Sequence, residues 1–329
     1  MTGVALLGAG FMAATHATSY AALEGVDVKV VCGLEADRVA ALAEQLGAEA
    51  SADWQSAISM PGVDAVDVCL PTPLHRRAAE RALAAGRHVL LEKPIALSLE
   101  DADAIGAAAA ASGTVLMVGH VLRFVPEVAE LRRLAADGEL GRPLAATAVR
   151  LSPPPDWNDW MLDPERSGGT VVDLAIHDFD VLGGLLGQVW RVHARAAAGG
   201  RHLTALVEHE RGEGTVEASH AMPGSYPFTA GLRVLCESGV LEHRFVAGAG
   251  DEVADGSVVS VLGIHPHGDA PREFSGPGDP WRLQIEHFLA CVRAGTAPAD
   301  GTFEQARAAL ATALAARRSL ASGLPEPVV

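Results

Sequence analysis

The stretch GVALLGAGFMAATHATSYAAL, residues 3 to 23, sets the architecture. Its apolar run Val4 to Leu7 breaks at Gly8-Ala9-Gly10, then small and apolar residues continue at helical spacing: strand, tight turn, helix. Gly8, Gly10 and Ala13 form G-x-G-x-x-A, a permitted variant of the dinucleotide fingerprint. Gly8 allows the turn and Gly10 lets backbone approach a pyrophosphate, while Phe11 and Met12 open the helix whose oriented N–H groups would face it. A lone Gly-rich string is a weak signal, and it gains weight from the strand and helix patterns downstream of it.

VDVKVVCGL leads into the helical EADRVAALAEQLG, which stops at Gly47. VDAVDVCLP leads into LHRRAAERALAAG, and RHVLLEKP into SLEDADAIGAAAAAS, where Ser98 and Asp101 resemble a capping box. TVLMVGH adds a fifth strand. Strands alternating with helices imply βαβ units, so an α/β domain with a doubly wound parallel Rossmann sheet is expected over residues 1–121. Beyond RFVPEVAELRRLAADGELG the texture changes to alternating runs joined by Gly-rich turns. In TVEASHA, Val216, Ala218 and His220 face one way and Thr215, Glu217 and Ser219 the other. Residues 122–329 are therefore expected to be an α+β domain with a large, mostly antiparallel open sheet. HPHGDAPREFSGPGDP reads as an irregular loop. Two closing helices carry apolar faces, Trp281, Ile285, Phe288 and Val292 on one, Phe303, Ala306, Leu310 and Leu314 on the other.

A length of 329 residues suits two cores, and 49% hydrophobic residues suffice to fill them. No segment approaches the roughly 18 unbroken apolar residues of a membrane span, and the N-terminus lacks the basic and apolar regions of a signal peptide. A cytoplasmic protein with no membrane partner is expected. The net charge of −16 opposes nucleic acid and favours solubility. Cys32, Cys69, Cys236 and Cys291 lie far apart without a C-x-x-C pair and read as buried, reduced thiols. His265 and His267 have no third ligand in view, so no metal is expected.

The chemistry concentrates in four places. The acid that usually reads the ribose at the second strand's end is replaced by Gly33; Glu35 can reach a 2′-hydroxyl, or Arg38 can accept a 2′-phosphate. NAD is slightly preferred over NADP, because no Ser-Arg or Arg-Arg pair stands at the strand end. Leu70, Pro71 and Thr72, with His75 beyond them, follow the third strand at the sheet's carboxyl edge, where ligands of open α/β folds bind. Glu92, Lys93 and Pro94 end the fourth strand in the same crevice, where a partly buried lysine beside a cationic nicotinamide has its pKa lowered, and where a cis X-Pro bond can aim the preceding side chain. In SGGTVVDLAIHDFDVLGGLLG, Asp173 and His177 stand at i and i+4 of a helical pattern, so a carboxylate can tune an imidazole acting as a base. Asp178 and Asp180 are read as solvated or structural.

Together GAGFM, CLPTPLH, HVLLEKPIAL, GGTVVDLAIHDFDVL and the C-terminal IEHFLACVRAGTAPADGTFEQARAALATALAARRSL resemble the glucose-fructose oxidoreductase, inositol dehydrogenase and rhizopine-catabolism (Gfo/Idh/MocA) oxidoreductase family over essentially the whole chain. The resemblance implies that Lys93, Asp173 and His177 meet between the domains beside the nicotinamide. It implies His120, Arg123 and Phe124 near the substrate entrance, Trp160 as an apolar contact for a pyranose face, and Trp157 as a weaker one. The implied activity is hydride transfer between NAD(P) and a secondary alcohol or carbonyl of a sugar, cyclitol or polyol. His177 or Lys93 is the ultimate base. The second domain's sheet would form a homodimer or homotetramer. Gly33 and Leu70, where a threonine is common, depart from the family pattern. Rival readings are an NAD-assisted glycoside hydrolase of the same fold and a non-enzymatic nucleotide or sugar sensor. The presence of all three candidate catalytic groups favours an enzyme.

Overall fold

The structure, a computed structural model, describes residues 1–155, 159–248 and 258–329. The chain divides into two compact units, one of Met1–Phe124 with Gly278–Arg307, the other of Val125–Pro277 with Ala308–Val329.

In the first unit, strands β1 (Thr2–Leu7), β2 (Val26–Cys32), β3 (Glu49–Ser51), β4 (Ala65–Val68), β5 (His88–Glu92) and β6 (Leu116–Gly119) form one parallel sheet in the order β3-β2-β1-β4-β5-β6. Helices α1 (Phe11–Ala21), α2 (Ala36–Leu46), α3 (Trp54–Ser59), α4 (His75–Ala84) and α5 (Leu99–Ser112) make the crossovers. β1 and β4 are buried along their whole length, so they read as continuous apolar runs rather than alternations. The order reverses between β1 and β4, the switch point where ligands of such sheets bind. Gly47 and Gly113 take left-handed conformations that end α2 and α5, and Ser98 caps α5 by accepting from the Asp101 N–H.

The second unit begins with α6 (Pro126–Asp137). Strands β7 (Pro143–Leu151), β8 (Val189–Ala197), β9 (His202–His209), β10 (Gly212–Ser219), β11 (Phe228–Cys236), β12 (Gly239–Ala247), β13 (Val258–Pro266) and β14 (Arg272–Phe274) follow, with α7 (Pro164–Ser167) and α8 (Ile176–Leu186) between β7 and β8. Helices α9 (Pro280–Ala294) and α10 (Phe303–Ser322) precede a last short strand, β15 (Glu326–Pro327). The nine-stranded sheet runs β14-β13-β12-β11-β7-β10-β9-β8-β15 and is antiparallel except where β7 meets β10. Its strands alternate: Val216 and Ala218 of β10 are buried while Thr215 is exposed.

Three expectations need correction. Residues 278–307, expected with the second domain, belong to the first compact unit, because Ile285 and Phe288 of α9 join the core made by Ala13, Ala17 and Tyr20 of α1. The short β3 extends the parallel sheet beyond the five strands expected, and α3 follows it. The segment read as an irregular loop begins inside β13 and carries β14, which pairs Leu262 with Phe274. Among the described residues no helix is long and apolar enough to cross a membrane.

Candidate functional site

The turn after β1 shows why each glycine stands where it does. Gly8 has φ 121°, and a Cβ there would lie 2.3 Å from the Cys69 carbonyl oxygen, so only glycine lets β1 and the end of β4 pass this close. A Cβ on Gly10 would meet nothing within 4 Å. Gly10 is the N-cap of α1 and makes no side-chain cap, so the helix start with Phe11 and Met12 presents an open cradle of the kind that accepts a diphosphate. Phe11 is exposed and Met12 half-buried beside it.

At the end of β2, a Cβ on Gly33 would lie 3.0 Å from the Val39 side chain and 3.3 Å from Ala9, so the strand end runs tight against the glycine turn and an aspartate here would be crowded. Glu35 and Arg38 pair with each other at 2.9 Å on the surface. The arginine is engaged with a carboxylate, not a free phosphate ligand.

Past β4, Leu74 donates its N–H to the Pro71 carbonyl, closing a turn that starts at the buried Thr72. His75 is fully enclosed, its Nδ1 2.9 Å from the Pro94 carbonyl oxygen and its Nε2 2.8 Å from that of Leu70. One imidazole thus straps the Leu70–Thr72 turn to the turn carrying Lys93. Burial pushes its pKa down, although the carbonyls and Glu92 pull the other way. The Lys93–Pro94 bond is cis, and Lys93 is half-buried at the end of β5.

Beneath Lys93 lies a group of ionisable side chains. His16 of α1 reaches across the sheet, its Nδ1 2.8 Å from Asp67 Oδ2 of β4. Tyr20 donates its hydroxyl to the same oxygen at 3.0 Å, and the Cys69 thiol approaches Asp67 Oδ1 at 3.4 Å. His16 Nε2 sits 3.3 Å from Glu92 Oε1, close enough for an ion pair but without hydrogen-bond alignment. Glu92 Oε2 accepts the backbone N–H of Lys93 at 3.2 Å. Burial would lower the His16 pKa, but Asp67, the strongest opposing influence, helps raise it well above its ordinary value. Burial and Asp67 together push the Cys69 thiol far up, so it stays protonated. Cys69 is thus half-buried in a polar group, and only Cys32, Cys236 and Cys291 fit the expected buried thiols.

His120, nearly inaccessible, follows β6, and its carbonyl accepts the Arg123 N–H. Arg123 pairs with Asp300 at 2.9 Å and Phe124 packs against His287 of α9 at 5.5 Å between ring centres, contacts that hold the first unit together.

In the second unit Gly168 and Gly169, both with positive φ, lead into a π-helical turn over Thr170–Leu174, closed by the Ala175 N–H donating to the Thr170 carbonyl. Asp173 lies in this turn and His177 in the first turn of α8. A π-helical turn stands in place of the one regular helix expected to carry both residues. The Arg201 carbonyl accepts both the Thr170 hydroxyl at 3.4 Å and the His220 N–H at 2.8 Å, fixing the turn against the end of β10. His220 Nε2 thereby comes 3.6 Å from Asp173 Oδ2. Sequence reasoning treats His220 only as a strand residue; its place one residue beyond β10 is the available signal. Asp178, read as solvated or structural, is buried in a two-pronged bond with Arg150. Asp180 is buried too. Trp160 holds its indole N–H buried and unpartnered among the described residues, while Trp157 lies outside those residues.

A glycine cradle at the switch point of a parallel sheet, with a lysine at a neighbouring strand end, defines a dinucleotide-dependent oxidoreductase. Comparison gives the same class. The family described as an oxidoreductase family with an NAD-binding Rossmann fold, Gfo/Idh/MocA, matches residues 2–120, and its C-terminal domain matches residues 128–242. Among similar proteins, the 1,5-anhydro-D-fructose reductase of Ensifer adhaerens is 31% identical over 97% of this chain and 96% of its own. A myo-inositol dehydrogenase of Streptomyces leeuwenhoekii is 33% identical over 97% and 98%. The solved structure of GenD2 from gentamicin A biosynthesis, in complex with NAD, is 26% identical with a TM-score of 0.84 over 100% of this chain and 96% of that one. The chain belongs to the Gfo/Idh/MocA family and is an NAD(P)-dependent oxidoreductase acting on CH–OH groups.

Proposed function

We propose that the protein oxidises or re-forms a secondary alcohol on a sugar, cyclitol or related polyol, with NAD preferred to NADP. The observation that carries this reading is the open Gly10 cradle at the same carboxyl edge that ends in Lys93. Gly8, Gly10, Phe11 and Met12 would hold the diphosphate, Glu35 the ribose, and Leu70, Pro71, Thr72 and the His75-strapped turn the nicotinamide side. Glu92 would support that side through Lys93. The bound nicotinamide supplies the hydride acceptor or donor at its C4. Lys93 hydrogen-bonds the reacting oxygen. His177, tuned by Asp173, takes the hydroxyl proton, and Lys93 shares it. His120 and Trp160 bind substrate, Trp160 across an apolar sugar face.

The relatives' substrates, an anhydro-sugar and an inositol, support the substrate class. The Glu35–Arg38 pair supports NAD, since it engages the arginine that would otherwise meet a 2′-phosphate. Leu206 and Leu235 lie exposed on the nine-stranded sheet, which supports a homodimer or homotetramer through that face. Four free thiols accord with a cytoplasmic setting. Fluorescence titration with NADH and NADPH, followed by a panel of sugars and polyols, is the test. Tighter NADH binding and substrate-dependent NADH formation are expected. Retained cofactor with glycoside cleavage, or sugar binding without turnover, would overturn the reading. Sedimentation should give a dimer or larger.

A further inference from the structure

The two carboxylates of Asp67 and Glu92 are buried on either side of one imidazole, 2.8 and 3.3 Å from its two nitrogens. Asp67 Oδ2 meets His16 Nδ1 and the Tyr20 hydroxyl, and the Cys69 thiol lies 3.4 Å from both Asp67 Oδ1 and His16 Nδ1. Glu92 accepts from the Lys93 N–H through Oε2 and turns Oε1 towards His16 Nε2.

We propose that His16 is a positioning residue for Lys93: held as an imidazolium between Asp67 and Glu92, it anchors the Glu92 side chain, and Glu92 in turn fixes the turn that presents Lys93. The proposal rests on reading Lys93 as catalytic. The raised pKa of His16 agrees with the geometry. The other groups facing the cluster are Tyr20 of α1, Cys69 after β4, His75 of α4 and Gln284 of α9. Gln284 is fully buried, with its amide nitrogen 3.4 Å from where a Gly119 Cβ would stand. Glu92 Oε1 lies 2.7 Å from that same point, so Gly119 is required for Glu92 to sit where His16 holds it.

The test uses the NADH-loaded enzyme with labelled histidine and, for turnover, NAD with myo-inositol as the probe substrate. His16 should show both ring N–H groups up to about pH 8, beyond the range of an ordinary histidine. His16→Asn keeps a donor for Asp67 but removes the charge. It should lower kcat about 30-fold with KM and the NADH Kd within about threefold. Glu92→Gln should lose activity to a similar degree. The double variant should be no worse than Glu92→Gln alone. Gly119→Ala, which displaces Glu92 while leaving His16 in place, should reproduce the kcat loss.

A neutral His16 in an active wild type overturns this proposal alone, as do wild-type kcat in His16→Asn, wild-type kcat in Gly119→Ala, or losses that multiply in the double variant. A wild type that oxidises no polyol at all overturns the catalytic reading of Lys93 and this role with it.

Discussion

In the first unit the buried ionisable groups His16, Asp67, His75 and Glu92 crowd the carboxyl ends of β4 and β5. In the second, Arg150, Asp178, Glu127 and His243 lie between the nine-stranded sheet and the helices packed on it. The difference lies in how charge is balanced. Arg150 meets Asp178 one to one. Glu127 accepts from the Ser260 hydroxyl and the Gly276 N–H, and His243, which burial holds neutral with a pKa lowered to about 4, faces Ser260. These contacts stitch α6 and α8 to the sheet. In the first unit two carboxyl groups flank one imidazole at the strand end that carries Lys93. The second group joins elements one pair at a time, whereas the first gathers at one strand end.

Breaking the site should cost the most. Lys93→Ala should bind NADH as the wild type does and lose turnover by about 10²- to 10⁴-fold, the range of a positioned acid or base; single-turnover absorbance measurements read it, and near-wild-type turnover removes Lys93 from the mechanism. Breaking a balanced pair should act on stability instead. Asp178→Ala strands the buried Arg150 and should destabilise the second unit by about 3 kcal/mol in urea melts, with NADH affinity unchanged. A loss of cofactor affinity in that variant would blur the distinction between the two regions. His243 sharpens it through pH. Its folded pKa is below the unfolded one, so the unfolded chain takes up the proton first, and stability falls as pH drops from about 6.5 towards 4. At about pH 5.5 the loss is roughly 1.2 kcal/mol relative to neutral, and His243→Leu should remove that much of the acid sensitivity.

The two regions also differ in legibility. The glycine turn, the continuous strands and the lysine at a strand end are local patterns, and Gly8, Gly10 and Lys93 stand out from them. The alternation of β10 is local too. What escapes is partnership over distance. The face of Ile285 and Phe288 is visible, but nothing in a helical period says that it packs on Ala17 and Tyr20 more than 260 residues earlier. β3, of three residues, is too short to show a period. Asp67 and His16 do leave a trace, as ionisable residues inside apolar runs, yet only the fold reveals that they face each other and Glu92. The π-helical turn at Asp173 escapes because two positive-φ glycines redirect the chain just ahead of a helical sequence pattern.

The smallest effect expected lies at the end of β2, where charge is balanced on the surface rather than in the interior. Glu35 holds Arg38 at 2.9 Å with both side chains largely exposed, so the pair is weak and either partner can be redirected by a bound ligand. In place of the acid usual at this strand end, Gly33 contributes no charge, and its tight fit against Val39 and Ala9 would crowd an aspartate there. We expect discrimination between cofactors to fall on Glu35 and Arg38. Glu35→Ala removes a ribose acceptor and releases the arginine, and both changes favour a 2′-phosphate. The ratio of NADPH to NADH dissociation constants should fall by about fivefold, with the shift shrinking at high salt because the arginine is exposed. An unchanged ratio would mean that the 2′ position is read elsewhere in the first unit.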